Sequence, residues 1–267
     1  MKAADRRVMQ AAHPSLFGPS DGYVFIVTYG RSGSTLLQNL LNGIPGHCIR
    51  GENNNALFPL VQAFETVLTN GEIKRRREAG QRPGGRPPPS LGKPEDPWYG
   101  AELIDPAAYG RALADIFVRE ILHLPPGTRR AGFKEIRFHN QAAQFRRHRN
   151  FLYRFFPNAR FVFNTRDHAA VARSGWWATQ DPATVQATLA QAETCFQAYM
   201  AEYPDRCLHL HYDDYVADPT RFGALFEFLD EPYDEALVAR VLAQRLQHLQ
   251  QRRAPGPEAG RGQDAQK

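Results

Sequence analysis

The sequence has no long apolar run. The first clean one, Tyr23 to Val27, is five residues, against the ~20 that a helical membrane span needs. The first ten residues carry Lys2, Asp5, Arg6 and Arg7, so no secretory leader is read there. Cysteine is scarce: Cys48, Cys195 and Cys207 are odd in number and lack CxxC spacing. That excludes a disulfide framework and a cysteine-rich zinc site, and a reducing cytoplasm is the expected home. Also missing are the Gly-Lys-[Ser/Thr] of the nucleotide triphosphatase P-loop and the G-x-G-x-x-G of dinucleotide binders.

What remains is ordinary globular composition, 42% apolar and 23% charged over 267 residues, with enough chain for one large domain. We read it as a single domain, with residues 1–21 and 252–267 as loosely held tails. The net charge of +5 suits an anionic partner. Much of that excess sits in residues 71–97, where Lys74, Arg75, Arg76, Arg77, Arg82, Arg86 and Lys93 fall among prolines. The segment reads as an irregular surface insertion or lid. It lacks the interleaved aromatics of a nucleic-acid stacking surface, so a non-catalytic nucleic-acid-binding protein is a weaker reading.

Strand-like runs recur at Tyr23–Val27, His47–Ile49, Gly132–Ile136, Arg160–Asn164 and Cys207–His211. Helical patterns separate them, including 55–69, Pro106–Leu122, 141–156, Asp167–Trp177 and Pro182–Tyr203. This alternation implies an α/β fold around a mainly parallel sheet of about five strands. The first strand runs into Gly30-Arg31-Ser32-Gly33-Ser34-Thr35 and then a helix. Such a turn offers backbone N–H groups and a helix dipole to an anion.

Tyr29-Gly30-Arg31-Ser32-Gly33-Ser34-Thr35-Leu36-Leu37 resembles the 5′-phosphosulfate loop of the PAPS-dependent sulfotransferases. Phe161 to Ser174, a strand ending in Arg166 with a serine eight residues on, resembles that family's 3′-phosphate site. Leu210 to Pro219 is similar to its "YEDL…DP" stretch. The resemblance implies a three-layer P-loop-like fold and transfer of a sulfuryl group from 3′-phosphoadenylyl sulfate (PAPS) to a hydroxyl of a carbohydrate, glycolipid or small molecule. No metal is required on this reading. Gly30, Arg31, Ser32, Gly33, Ser34, Thr35, Arg166 and Ser174 would bind the donor, and Arg31 would neutralise the departing phosphate. The family's closing Arg-Lys-Gly segment is not matched.

Proton removal from the acceptor needs a base. Glu52, after the second strand, matches the Gly-Glu of tyrosylprotein sulfotransferases; His47, His139 and His168 are the other candidates. Lys134 either assists Arg31 or pairs with Glu135. His209 and His211 share a strand face, more simply as an amphipathic edge than as metal ligands. The alternative enzymatic reading is a nucleotide-dependent kinase on a related loop.

Overall fold

Alternate residues of the strand Gly22–Val27 (β1) feed two separate cores. The computed structural model describes residues 3–81, 90–138 and 142–253. Tyr23, Phe25 and Val27 join a phenylalanine-rich core, whereas Val24 and Ile26 join an aliphatic one. Period-two alternation on a strand buried on both faces gives this division, which makes three layers.

The sheet holds β2 (His47–Arg50), β3 (Arg130–Glu135), β1, β4 (Arg160–Thr165) and β5 (Cys207–His211), in the order β2-β3-β1-β4-β5. Every pairing is parallel. The aromatic face is covered by α3 (Leu57–Thr69), α5 (Pro106–Phe117), α6 (Ala142–Phe155) and α8 (Pro182–Glu202). The aliphatic face is covered by α2 (Ser34–Gly43), α9 (Tyr212–Ala217), α10 (Gly223–Phe228) and α11 (Glu235–Arg253). β1 has β3 on one side and β4 on the other, so the chain reverses its winding direction there. In open α/β sheets the C-terminal edge at such a point is where ligands bind. The edge strand β2 is completed by a side chain: Asn42 of α2 accepts from Ile49 N at 2.7 Å and donates to Ile49 O at 2.9 Å.

Two segments depart from the sequence expectations. The stretch expected as a loose N-terminal tail forms α1 (Ala3–Ala12). It is followed by Leu16 and Phe17, which are buried in the aromatic core. Leu16 N donates to Asp115 at 2.8 Å and Tyr23 Oη donates to Leu16 O at 2.9 Å, tying this stretch to α5 and β1. The expected irregular insertion begins as a helix, α4 (Gly71–Gln81). Its Ile73 and Arg76 are buried, and Arg76 bonds Glu72 at 2.5 Å and Asp96 at 2.6 Å. Arg76 holds the Asp96 carboxyl down to about 2. A cation counted as surface charge is thus an internal clamp. The thirteen residues of α3, at about 1.5 Å each, set α4 roughly 20 Å along from the start of α3. Arg82 and Arg86 lie outside the described residues, as do 254–267 of the C-terminal stretch.

The N-terminal edge of the sheet carries an ionic clasp. Arg129 bonds Asp21, and it bonds Glu231 at 2.8 and 2.9 Å; His47 Nε2 donates to Glu231 at 3.0 Å. Burial raises the Asp21 and Glu231 carboxyls, but Arg129 outweighs it and both sit below their ordinary values. Burial lowers His47. At each group the unfolded chain binds more protons, so stability falls as pH drops. The loss begins below 6.5 with His47 and deepens below 4.5 and 3.8 with the carboxyls. The Tm is therefore expected to fall progressively from pH 7 to pH 4. His47→Gln should flatten the upper part of that profile only, as read by calorimetry at stepped pH; an unchanged profile would remove His47 from the clasp.

Candidate functional site

The loop after β1 takes a backbone conformation that side chains normally avoid. Arg31 has φ 68° and Gly33 φ 79°. For a residue with a Cβ, the left-handed region costs ~1–2 kcal/mol, so Arg31 is held there by its surroundings. Arg31 Nε donates to Ser174 Oγ at 2.9 Å, 143 residues away in the chain. Arg166 Nη1 donates to Arg31 O at 3.1 Å. The two motifs thus meet at Arg31.

Asn164, fully buried on β4, anchors the loop. Its Nδ2 donates to Ser32 O at 3.0 Å, and its Oδ1 accepts from Tyr215 at 2.9 Å. Thr28 donates to Asn164 O at 2.7 Å and its hydroxyl lies 2.6 Å from that of Ser32. Trp177 Nε1 donates to Gly30 O at 3.0 Å. Ser32 and Ser34 are buried and Thr35 is exposed. The Ser32 hydroxyl therefore serves the scaffold, leaving only its backbone for an anion. No side chain caps α2 at Gly33, so its first-turn N–H groups are left for whatever occupies the loop. Both loop glycines lie under rings. A Cβ on Gly30 would sit 2.2 Å from Trp176, and one on Gly33 2.1 Å from Tyr212.

Arg166 lies with its guanidinium 4.6 Å from the centre of the Tyr212 ring and its Nε 3.9 Å from Asp213. That Nε is buried without a hydrogen-bond partner, an open donor aimed from a cation. Its backbone N donates to Tyr29 Oη at 2.9 Å, and Tyr29 donates to Glu193 at 2.7 Å. Burial, with Glu193 beside it, pushes the Tyr29 phenol well up. A cleft of about 1000 Å³ opens beside Arg166, lined also by His168, Arg173, Glu193, His209 and His211.

Ser174 reaches the loop differently from expectation. A helix from Asp167 to Trp177 was expected; α7 spans only His168–Ala172. Ser174 is extended and Gly175 turns left-handed at φ 60° into a tight turn, Gly175–Thr179. A Cβ on Gly175 would lie 3.0 Å from Arg31 Nε. The break, and not two turns of helix, brings Ser174 to Arg31.

Glu52 stands between two cations. Lys134 Nζ donates to it at 3.0 Å and Arg137 at 3.2 Å, and Lys134 is 3.5 Å from Thr35 Oγ1. Lys134 therefore pairs with Glu52 and not with Glu135, its neighbour on β3, because successive strand residues face opposite ways. Fully buried Glu135 instead accepts from Asn55 N at 2.8 Å and Arg137 at 2.9 Å. Arg50 turns away from Glu52 to Leu122 O and His123 O. Among the histidines, His47 is at the N-terminal end of β2, on the clasp. His168 Nε2 is 3.0 Å from Glu193, and His139 lies outside the described residues. His209 is 2.8 Å from Thr165 Oγ1. Among the described residues no cluster of three His, Cys, Asp or Glu is set to hold a metal, and no helix is long and apolar enough to cross a membrane.

Gly33→Ala should cost about 1–2 kcal/mol for φ alone and more for the overlap with Tyr212, lowering Tm by about 3–8 °C. Gly71→Ala, with nothing near its Cβ, should leave Tm unchanged. Equal Tm for Gly33→Ala and wild type in a thermal melt would mean that the loop is not held as described.

The sequence model of a family described as "Sulfotransferase family" matches residues 23–235. Among solved structures, a sulfotransferase domain from the Synechococcus PCC 7002 olefin synthase is similar with TM-score 0.50 and 19% identity, over 80% of this chain and 75% of that one. A sulfotransferase domain from the curacin biosynthetic pathway gives 0.49 and 19%, over 81% and 76%. Sulfotransferase STF9 from Mycobacterium avium gives 0.45 and 14%, over 91% and 72%. At these identities the likeness is one of fold. No curated protein matches the chain.

Proposed function

The chain belongs to the sulfotransferase family, and from that premise we propose that it moves a sulfuryl group from PAPS to a hydroxyl acceptor, a carbohydrate, glycolipid or small molecule, in the cytoplasm. The observation that carries the donor assignment is the meeting of loop and strand end: Arg31 Nε on Ser174 Oγ at 2.9 Å and Arg166 Nη1 on Arg31 O at 3.1 Å. The donor carries a 5′-phosphosulfate and a 3′-phosphate, and two linked cationic centres suit those two anions. The uncapped start of α2 would hold the first. Arg166, with its buried open Nε, would hold the second together with Ser174.

In this reading the acceptor oxygen forms a bond to sulfur while the bond from sulfur to the bridging phosphate oxygen breaks. Glu52 takes the acceptor proton, and Arg31 with the α2 N-terminus meets the charge growing on the leaving phosphate. Lys134 lies between Glu52 and Thr35, so it borders both the base and the loop. An arriving anionic sulfonate draws Lys134 toward itself. That loosens its bond to Glu52 and frees the carboxylate for the acceptor hydroxyl as donor binds. His47 cannot replace Glu52, since it is at the opposite edge of the sheet.

Titration calorimetry with adenosine 3′,5′-bisphosphate, followed by labelled-sulfate transfer from PAPS to an acceptor panel, tests the reading. Activity should survive EDTA; loss with EDTA and recovery with magnesium would favour a kinase instead. Arg166→Ala should weaken the 3′-phosphorylated nucleotide by about 2–4 kcal/mol and its 3′-dephospho form far less. Equal losses would detach Arg166 from the 3′-phosphate. Glu52→Gln should lower kcat by about 10²–10⁴ with nucleotide affinity nearly constant, and full activity in that variant would remove Glu52 as the base.

A further inference from the structure

Consecutive tryptophans in the turn Gly175–Thr179 have opposite fates. Trp177 is 8% exposed, packs in the aromatic core and donates to Gly30 O. Trp176 is 49% exposed, yet it is not loose. One edge of its ring rests on Gly30, where only a missing Cβ leaves room, and Thr179 Oγ1 donates to Trp176 O at 2.9 Å. Arg31 lies against the preceding Gly175. Among the described residues the Trp176 indole N–H has no hydrogen-bond partner. A large aromatic thus stands half open to water beside Arg31.

Tyr212, which carries Arg166 and belongs to the aliphatic core, presses on Gly33; Trp176, beside the core residue Trp177, presses on Gly30. Resting on the sulfotransferase reading above, we propose that Trp176 is the stacking platform for the acceptor and that the acceptor ring on it is a pyranose. The indole face is electron-rich and attracts the C–H face of a sugar, while the sugar's hydroxyls keep their contacts with water. A flat apolar alcohol favours an enclosed apolar pocket. Trp176 offers instead one open face in charged surroundings.

The test uses the full chain saturated with adenosine 3′,5′-bisphosphate. Lactose, cellobiose and N,N′-diacetylchitobiose are titrated against tryptophan fluorescence, and the same sugars and 2-naphthol are then assayed as acceptors with PAPS. A saturable fluorescence change with at least one disaccharide is expected in wild type and absent in Trp176→Ala. That variant should raise the disaccharide KM at least tenfold, with kcat within threefold and the nucleotide Kd within twofold. Trp176→Phe should recover part of the loss, and Trp98→Ala should match wild type. The inference is overturned if no disaccharide binds wild type, if Trp176→Ala leaves KM unchanged, if its nucleotide Kd rises along with KM, or if only 2-naphthol is sulfated. Failure of wild type to bind the nucleotide would instead overturn the donor assignment on which the platform rests, and that result is read before any sugar is added.

Discussion

Everything at the site depends on the hold of Asn164 on Ser32. The loop after β1 contains a non-glycine residue in the left-handed region and a helix start without a side-chain cap. Neither is stable in isolation. A buried amide with both ends satisfied, one on the loop and one on Tyr215, fixes the loop to the neighbouring strand, since an unmade bond at that depth would cost ~1–3 kcal/mol. With the loop fixed, the Arg31 carbonyl is available to Arg166 and the Arg31 side chain to Ser174. The charged groups are therefore arranged by neutral ones, and the strain at Arg31 is sustained by tertiary structure.

The three central strands were legible because they are buried on both faces, and the edge strands from their short β-branched or alternating runs. Runs such as Tyr-Val-Phe-Ile-Val need no partner information to be read, and all five appear within a residue or two of their expected ends. The loop was legible for a related reason: glycine spacing between a strand and a helix is a local signal. Arg166 could be placed at a strand end because β4 was itself clear. What could not be read was any feature set by a distant residue. Asn164 is an ordinary letter in a strand until Ser32 lies beside it. Tyr29 looks like core until Glu193 and Arg166 reach its hydroxyl. The pairing of Lys134 with Glu52 depends on where the chain after β2 returns, and adjacency in sequence pointed to Glu135.

The misread segments share one cause. Low apolar content and turn residues argued for loose chain at the N-terminus and in the basic stretch. Two apolar residues, Leu16 and Phe17, suffice to dock the first, once Asp115 supplies a partner for the backbone. In the second, buried Arg76 pairs with both Glu72 and Asp96 and ties α4 to residue 96. Composition averages over a window and is blind to one well-placed residue. Ser174 illustrates the converse: a helix was expected to run through it, but a left-handed Gly175 breaks the helix and brings Ser174 to Arg31, which also bonds Arg166.

The distribution of charge explains how so many cations stand at one sheet edge. Lys134 and Arg137 are matched by Glu52 and the buried Glu135, so the Glu52 side of the edge is close to neutral. Arg166 has Asp213 only at 3.9 Å, and Arg31 bonds a neutral hydroxyl. The uncompensated positive charge is thus confined to the loop and the β4 end, where the uncapped start of α2 adds its dipole. An anion entering this edge is drawn to that side and not to the Glu52 side. The same sheet edge therefore carries one compensated and one uncompensated side, through partners supplied from β2, β3 and β5, which no single stretch of sequence contains.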